Sequence, residues 1–470
     1  MPINSFLYPG AKFIPGYEVA NSCRFEEGRT TSLSRTLGTP TTANVWTFSC
    51  WVKKSKLGDY QNLLAADVSG SGHRDCIRFQ NDDKLTVFFN ELADGEVKTN
   101  RAFRDPSAWL NIVVAVDTTQ ATDTNRVKIY VNGTQETSLA TSSYPAEDYT
   151  CGMNTNDVHR IGRDFLYTEY FDGYLAEVCF IDGQQLTPTS FGEFDEDSPT
   201  IWKPKDVSGL TFGDNGAYLD FEDSDNLGDD ESGNANDWAE NNIAATDQAT
   251  DTPTNNFATL NPLGFTEGTL SEGNTEIDQN GSAGRFCAGT IQPSNGKWYF
   301  EAKVLNYGAD PRHFVGVGRN EETYTGTASA GASSIGYSLE TQTVFKADSS
   351  VLDLSSADSP ATDDIYMIAY DIDNLKIYLG KNGTWLNSGD PAGGSGNVTT
   401  LVSGTDYAPI TGALNASSNS ARNNDWQFNF GNPTFTISSG NADADGYGNF
   451  EYAVPSGFYA LCSKNLAEYG

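Results

Sequence analysis

The sequence DDIYMIAYDIDNLKIYLGKNGTWL, residues 363–386, decides the fold class of this chain. Residues 365–370 are apolar at both sets of alternating positions, which is typical of a strand buried on both faces. A polar turn separates this run from a second apolar run at 375–379, and the pair Asn382-Gly383 then favours a two-residue hairpin. Adjacent strands joined by tight turns predict an antiparallel sheet.

Further strand-like segments flank this stretch on both sides. They are 296–301 (GKWYFE), 314–318 (FVGVG), 334–338 (SIGYS), 428–432 (FNFGN) and 455–462 (PSGFYALC). In this order the segments resemble the SPRY family. The resemblance implies a two-sheet antiparallel sandwich that binds partners through its loops, in a family whose members are not, as a rule, enzymes.

The first half of the chain also reads as a series of strands. Residues 46–54 (WTFSCWVKK) place their bulky side chains at alternating positions, which predicts a strand with one buried face. Other apolar runs follow at 77–79 (IRF), 85–89 (LTVFF), 109–116 (WLNIVVAV), 127–133 (VKIYVNG) and 171–182 (FDGYLAEVCFID). Over about residues 20–200 this set resembles the LamG-like, concanavalin-type jelly roll.

Between the two halves, residues 221–263 are rich in Asp, Asn, Gly, Ser and Thr and contain few branched apolar residues. Such a composition buries too little surface to offset chain entropy by itself, so the segment is either a linker or a loop draped over two sandwiches. Four apolar residues are predicted anchor points and favour the draped arrangement. These residues are Trp238, Phe257, Leu260 and Leu263.

The expected architecture is therefore all-β, with two antiparallel β-sandwiches joined by a polar draped linker. The predicted divisions are an N-terminal arm (1–17), a LamG-like jelly roll (18–205), a polar connecting segment (206–263) and a SPRY-like sandwich (264–470). Long stretches with helical periodicity are hard to find, whereas aromatic, Thr and turn residues are plentiful, as is typical of all-β chains.

The order of these parts resembles proteins encoded by marine bacteriophages. Three segments carry this resemblance: 182–193 (DGQQLTPTSFGE), 232–238 (SGNANDW) and 252–263 (TPTNNFATLNPL). The relatives are regarded as virion surface or fibre-type proteins. The resemblance implies a tail or head fibre protein, placed on the virion surface and made in the host cytoplasm.

The net charge of the chain limits the kinds of molecule that it is expected to bind. The formal net charge is −34, from 29 basic and 63 acidic residues, which argues against a protein that binds nucleic acid or an anionic membrane. No run of about 20 apolar residues is present to span a bilayer, and the N-terminus lacks the pattern of an export signal. The expected partners are other virion proteins and a host-surface glycan or protein.

Cysteines and histidines predict no redox or acid–base chemistry. The seven cysteines stand singly, without a Cys-x-x-Cys pair, and are expected to be free buried thiols in a reducing compartment. The histidines His73, His159 and His313 are dispersed and are expected to be structural or surface residues.

One pattern raises the question of catalysis. Glycosidases of the concanavalin type place two carboxylates on one strand as E-x-D-x-x-E, because alternate residues of a strand share a face. Residues 193–198 (EFDEDS) begin this pattern but end in Ser198, so the final carboxylate is missing. The sequence therefore favours a protein that is not an enzyme, with a polysaccharide depolymerase as one alternative.

Two kinds of binding residue are predicted. Acidic side chains around a glycine in 223–231 offer the hard oxygen ligands that calcium needs, although the spacing is not that of an EF-hand and a solvated linker is the alternative. Aromatic residues in loops offer ring faces to a glycan, although the same residues are equally good rim or interface residues. The calcium candidates are Asp223, Asp225, Asp229, Asp230 and Glu231, and the glycan candidates are Tyr60, Tyr144, Tyr149, Tyr167, Tyr170 and Trp385.

The leading hypothesis is a non-enzymatic virion protein whose sandwich loops bind host-surface glycans or neighbouring virion proteins. Its arm, residues 1–17, is apolar and interrupted by prolines, so it is expected either to attach the protein to the particle or to cover the first sandwich. A closed homo-oligomer, with a trimer favoured, is expected of a fibre. A capsid decoration protein without a receptor role is the second alternative.

Overall fold

The computed structural model describes residues 16–470, except for 68–71, 167, 197, 264, 266–267, 280–285, 309–312, 320–332, 348 and 414–423. The glycan candidate Tyr167 and residues 1–15 of the predicted arm lie outside the described residues.

The first half of the chain forms two antiparallel sheets and a small hairpin. The strands are β1 (Ser22–Phe25), β2 (Ser32–Thr36), β3 (Val45–Lys54), β4 (Gln61–Asp67), β5 (Arg74–Phe79), β6 (Lys84–Phe89), β7 (Gly95–Ala102), β8 (Leu110–Asp117), β9 (Val127–Val131), β10 (Thr134–Gln135), β11 (Leu139–Ser143), β12 (Val158–Ile161), β13 (Gly173–Asp182), β14 (Gly192–Phe194), β15 (Trp202–Pro204), β16 (Ala217–Leu219), β17 (Ala239–Asn241) and β18 (Gln248–Ala249). The first sheet has the order β10-β9-β8-β3-β13-β1-β18, with β16 also paired to β13. The second sheet has the order β11-β7-β6-β5-β4-β12-β2-β17, and β14 pairs with β15.

The second half forms two more sheets and ends in a short helix. Its elements are β19 (Thr269–Ser271), β20 (Glu276–Asp278), β21 (Phe286–Ala288), β22 (Lys297–Val304), β23 (His313–Gly318), β24 (Ile335–Ser338), β25 (Thr343–Lys346), β26 (Ser349–Asp353), β27 (Ile365–Asp371), β28 (Lys376–Lys381), β29 (Thr384–Trp385), β30 (Thr399–Thr400), β31 (Ala408–Ala413), β32 (Asp425–Asn429), β33 (Tyr459–Ala460) and α1 (Ser463–Tyr469). The third sheet has the order β19-β20-β32-β22-β27-β28-β29, with β30 on β28 and β33 parallel to β22. The fourth has the order β21-β31-β23-β24-β25-β26.

The all-β prediction is confirmed, and the stretch that predicted it behaves as expected. On β27, Tyr366, Ile368 and Tyr370 face the core between the third and fourth sheets, whereas Met367 and Ala369 pack in a second cluster on the opposite face. The turn after β28 has φ values of 49° and 82° at its Asn-Gly pair, the left-handed conformations that a two-residue hairpin requires.

Strand β3 differs from its prediction because both of its faces are buried. Trp46 and Phe48 point into the core between the first and second sheets. Trp51 lies on the other face, in a cluster with Tyr174 and Trp202. The sequence predicted one buried face because the residues that cover the second face come from distant parts of the chain.

The connecting segment is an ordered part of the molecule. It adds β16 and β18 to the first sheet and β17 to the second. Trp238, Phe257 and Leu260 are buried, as their role as anchors requires. The prediction for Leu263 was wrong, since this side chain is 52% exposed.

Buried ion pairs fasten the two sandwiches to each other. Arg24 of β1 contacts Asp247 of the connecting segment (3.0 Å) and Glu272 of the second sandwich (2.9 Å). The hydroxyl of Tyr174 on β13 donates to the carbonyl of Gly273 (3.1 Å). The outer face of the first sheet is therefore an internal interface, which we call the seam.

Two further expectations concern burial and membranes. All seven cysteines are buried and free, as predicted. Within the described part of the chain, no helix combines the length and the apolar character needed to cross a bilayer.

Candidate functional site

Tyr60 and Tyr170, two of the predicted glycan contacts, lie together at the start of β4. The side-chain amide of Gln61 donates to the carbonyl of Tyr60 (3.4 Å) and to that of Tyr170 (3.3 Å). A guanidinium covers a face of each ring, with Arg78 4.4 Å from the Tyr60 centroid and Arg163 5.0 Å from the Tyr170 centroid. Tyr170 is buried and Tyr60 is half-buried, so neither is the freely exposed ring that the prediction required.

Three other predicted glycan contacts are also partly buried. Tyr149 donates its hydroxyl to Asp94 (3.1 Å), and burial raises its pKa. Tyr144 packs against the core of the first sandwich. Trp385 lies in the second sandwich, 6.5 Å from the ring of Tyr299. These side chains contribute to packing.

The acidic run predicted to bind calcium is used to shape a loop. Asp230 is buried and accepts hydrogen bonds from the backbone N–H groups of Tyr218 (2.8 Å), Ser232 (2.9 Å) and Asn236 (2.7 Å). Among the described residues, no group of three or more His, Cys, Asp or Glu side chains is arranged to hold a metal ion. The predicted ligands that are not assembled into such a site are Asp223, Asp225, Asp229, Asp230 and Glu231.

The carboxylates closest to a glycosidase pattern are engaged in ion pairs. Lys203 lies 3.5 Å from a carboxylate oxygen of Glu193 and 3.4 Å from one of Asp195. Asp195 also accepts a hydrogen bond from the backbone N–H of Ser198 (2.9 Å), the residue that stands in place of the second glutamate. These contacts stabilise the hairpin of β14 and β15.

Two of the three histidines are structural, as expected. The ring of His159 donates to the carbonyl of Asp157 (3.0 Å), and the ring of His313 accepts from the backbone N–H of Asp425 (3.1 Å). Burial lowers the pKa of both imidazoles to about 4, so they are neutral at physiological pH. His73 is exposed.

Two adjoining cavities, with volumes of 260 and 280 Å³, lie where the two sandwiches and the connecting segment meet. The first is lined from 18–20, 250–257 and 446–448 together with Lys464. The second is lined by Asn21 and Asn449 and from 245–250 and 432–437. Both include Thr250 in their walls. We call the two cavities together the seam groove.

The second cavity contains a buried amide with unused hydrogen-bonding capacity. Asn432, which is 4% exposed, accepts a hydrogen bond from the backbone N–H of Thr250 through Oδ1 (2.9 Å). Its Nδ2 has no hydrogen-bond partner among the described residues. Because buried polar groups are nearly always paired, an unpartnered donor next to a cavity is a candidate contact for a water or a ligand.

The first cavity is closed at one side by an ion pair. Lys464, in the first turn of α1, contacts Glu18 (2.5 Å), and its ammonium lies 5.3 Å from the centroid of the Tyr447 ring. Tyr447 is half-buried between Gly446 and Gly448, two residues without side chains. The cavity therefore combines an aromatic ring with a wall that is close to neutral in charge.

Sequence reasoning missed the seam groove. Its walls come from residues that are far apart in the chain: Thr250 and Asn432 are 182 positions apart, and Glu18 and Lys464 are 446 positions apart. Polar residues at such positions have no local pattern. The sequence indicated only that the connecting segment is ordered and lies against both sandwiches. It did not indicate which surfaces of the sandwiches are in contact.

A buried carboxylate lies on another part of the first sheet. Glu177 sits at a β-bulge of β13 with φ of +50° and accepts hydrogen bonds from the hydroxyls of Tyr17 (2.9 Å) and Tyr218 (3.0 Å). Burial raises the pKa of Glu177 to about 7. Tyr17 is the last residue of the predicted arm, so the end of the arm is fixed to the first sandwich.

Comparison with known proteins agrees with this architecture for the first sandwich. Residues 28–189 match the model of the Concanavalin A-like lectin/glucanases superfamily. The first sandwich thus contains a concanavalin A-like domain. No curated protein sequence matches the chain.

Several solved structures are similar to this chain or to parts of it. Domains LG4-5 of the mouse laminin alpha1 chain are 10% identical, with a TM-score of 0.30, over 88% of this chain and 90% of that one. The SPRY domain of human HERC1 is 13% identical, with a TM-score of 0.28, over 36% and 96%. A putative carbohydrate binding protein from Bacteroides ovatus is 14% identical, with a TM-score of 0.26, over 37% of this chain and 46% of that one.

Proposed function

We propose that the protein is a non-enzymatic adhesion protein that binds glycans. The observation that carries this proposal is the concanavalin A-like domain at 28–189, which belongs to a superfamily of lectins and glucanases. The polar cavities of the seam groove support it, because small-molecule sites are concave and often lie at domain interfaces. The high negative charge favours an uncharged partner over a nucleic acid or an anionic membrane.

The absence of catalysis is part of the same proposal. Glu193 and Asp195 begin the glycosidase pattern, but both are paired with Lys203, and a serine replaces the second glutamate. A retaining or an inverting glycosidase needs two free carboxylates that face one sugar bond. The polysaccharide depolymerase is therefore the less favoured alternative.

The biological setting that we propose is the surface of a bacteriophage particle. This rests on the sequence resemblance to fibre-type proteins of marine phages. In this setting the arm attaches the protein to the particle, and Tyr17 is held by Glu177 where the arm meets the first sandwich. Other virion proteins and a host-surface glycan are the proposed partners, in a closed oligomer for which a trimer is favoured.

Glycan binding and catalysis can be tested together. The purified full-length chain is applied to an array of host-surface and reference glycans, and the same glycans are then assayed for new reducing ends. We expect binding without new reducing ends. Cleavage would establish the depolymerase instead, and an array without any bound glycan would contradict the proposal.

The virion role has its own experiment. Deletion of residues 1–16 is expected to leave both sandwiches folded, as measured by circular dichroism, and to abolish incorporation into particles. Retained incorporation would show that the arm does not anchor the protein. Particles that lack the protein should lose adsorption to the host; normal adsorption with fragile particles would identify a decoration protein.

A further inference from the structure

We propose that the seam groove is the glycan-binding site and that its ligand is an uncharged oligosaccharide. This inference rests on the proposed function. It places the glycan-binding site away from the loop aromatic residues that the sequence predicted. Three observations support the inference: the unpartnered amide of Asn432, the uncharged lining of the second cavity, and the position of Thr250 in the walls of both cavities.

The hydrogen-bonding groups of the second cavity match those of a sugar. A sugar hydroxyl both donates and accepts, and so do the Thr hydroxyls and Asn amides that dominate this wall. Asn432 is fixed by the hydrogen bond that its Oδ1 accepts from Thr250, which leaves Nδ2 to donate. A ligand hydroxyl at this position would satisfy a donor that is otherwise buried without a partner.

The electrostatics of the groove select against charged glycans. The described residues that line the second cavity are all uncharged. In the first cavity, the charges of Glu18 and Lys464 are paired with each other. A sulfated or uronic-acid polymer would find no free cation among the described residues that line the two cavities, and it would also be repelled by a chain of formal charge −34.

The size and the aromatic residues of the groove fit a ligand of more than one sugar ring. Each cavity is slightly smaller than the roughly 300–1,000 Å³ of most ligand sites, and the two together fall within that range. Tyr447 supplies a ring in the first cavity and Phe435 one in the second. A chain of sugars that occupies both cavities would contact one aromatic residue in each and would cross Thr250, which lines both.

The experiment measures binding of the full-length protein to uncharged gluco-, galacto- and manno-oligosaccharides of about two to six units, with sulfated and uronic-acid oligosaccharides alongside. Asn432→Asp keeps the acceptor that Thr250 uses and removes the Nδ2 donor. We expect this variant to bind the uncharged ligand at least about tenfold more weakly. Asn100→Asp, the same change at an exposed position of β7, the second strand from one edge of the second sheet, is the matched control and should bind like the wild type.

A second variant tests the same site in case Asn432→Asp does not fold correctly. Thr436 is exposed and lines the second cavity, so Thr436→Trp fills the cavity from its solvent side without disturbing the core. It should abolish binding while the melting temperature stays near that of the wild type.

The outcomes separate this inference from the proposed function. If both groove variants bind within about twofold of the wild type while Tyr60→Ala loses binding, glycans bind at the first-sandwich loop and the seam groove is not the site. Preference for the sulfated or uronic-acid oligosaccharides would also overturn the inference and leave glycan binding intact. If the wild type binds no oligosaccharide of any class, both the inference and the proposed function are wrong.

Discussion

Glu177 is a single residue whose ionisation should be visible in the stability of the whole chain. Its pKa is raised by burial from 4.5 to about 7, so the folded state holds the proton more tightly than the unfolded state. The resulting stabilisation is fully present below about pH 4.5 and is lost as the pH rises through about 7. We expect Glu177→Gln to match the wild type at pH 4 and to exceed its free energy of unfolding by about 3 kcal/mol at pH 8. Urea unfolding at both pH values measures this.

The prediction compares Glu177→Gln with the wild type at each pH, because other residues change the free energy of unfolding with pH in the opposite direction. His159 and His313, with pKa values lowered to about 4, contribute stability that is present above about pH 6.5 and lost as the pH falls through 4. Glu468→Gln, at an exposed position of α1, serves as the control. Parallel pH curves for wild type and Glu177→Gln would contradict the assignment.

Single residues also show the limit of prediction from sequence. The burial of the cysteines was predictable because they stand singly and mostly in strand-like contexts. The unpartnered amide of Asn432 was not, because its meaning depends on Thr250, which lies 182 positions away. Tyr170 was predicted as an exposed ring and is buried, since Arg163 and its neighbours cover it.

Among the structural elements, the hairpin of β9 and β10 offers a direct test of turn geometry. Gly133 has φ of +75°, and a Cβ added there would lie 2.4 Å from the ring of Trp202, which is fixed by a hydrogen bond to Asn111 (3.1 Å). Gly457 has a similar φ of +80° with nothing within 4 Å of an added Cβ. Gly457→Ala should cost about 1–2 kcal/mol from backbone strain, and Gly133→Ala roughly 1–3 kcal/mol more from the clash. Equal losses in urea unfolding would mean that Trp202 moves freely.

The connecting segment depends on a buried ion pair, which gives a second test. Asp251 lies 2.6 Å from Nζ of Lys53 and accepts from the indole of Trp109 (3.0 Å), and both charged side chains are almost fully buried. Asp251→Ala leaves the ammonium of Lys53 without its countercharge, so we expect a loss of about 3–5 kcal/mol in the free energy of unfolding. Glu193→Ala removes an exposed partner of Lys203 and should cost less than about 1 kcal/mol. A loss of that small size for Asp251→Ala would show that Lys53 finds another partner or reaches water.

Strands were predictable from sequence because their signal is local. The alternation in β27 and the Asn-Gly pairs after β9 and β28 lie within a few residues. The fixed conformation of the connecting segment was harder to predict, because the segment contains few branched apolar residues that could pack against the sandwiches. Its fixed position comes largely from polar partners that are far away in the chain, such as Arg24 for Asp247 and Lys53 for Asp251.

For the molecule as a whole, the seam turns two sandwiches into one structural unit. Lys53 of β3 donates to the carbonyl of Phe257, whose ring packs on the outer face of the third sheet. The side chain of Asn274 in the second sandwich donates to the carbonyl of Ser55 (2.9 Å). Sequence resemblance described two separate modules, and neither resemblance contains the surface that joins them. For the same reason the seam groove had no sequence signature.

If the seam is one continuous interface, the two sandwiches should unfold together. Multidomain chains commonly unfold in separate steps, because most interdomain interfaces are weak. Here Arg24, which is 1% exposed, pairs with Asp247 and Glu272 on the two sides of the seam. We expect a single calorimetric transition for the wild type, with equal calorimetric and van't Hoff enthalpies. Arg24→Met should separate it into two transitions, since it removes the buried one of the two cations, Arg24 and Arg29, that contact both Asp247 and Glu272. Two transitions in the wild type would mean that the sandwiches are energetically independent and that the seam groove forms only by their loose contact.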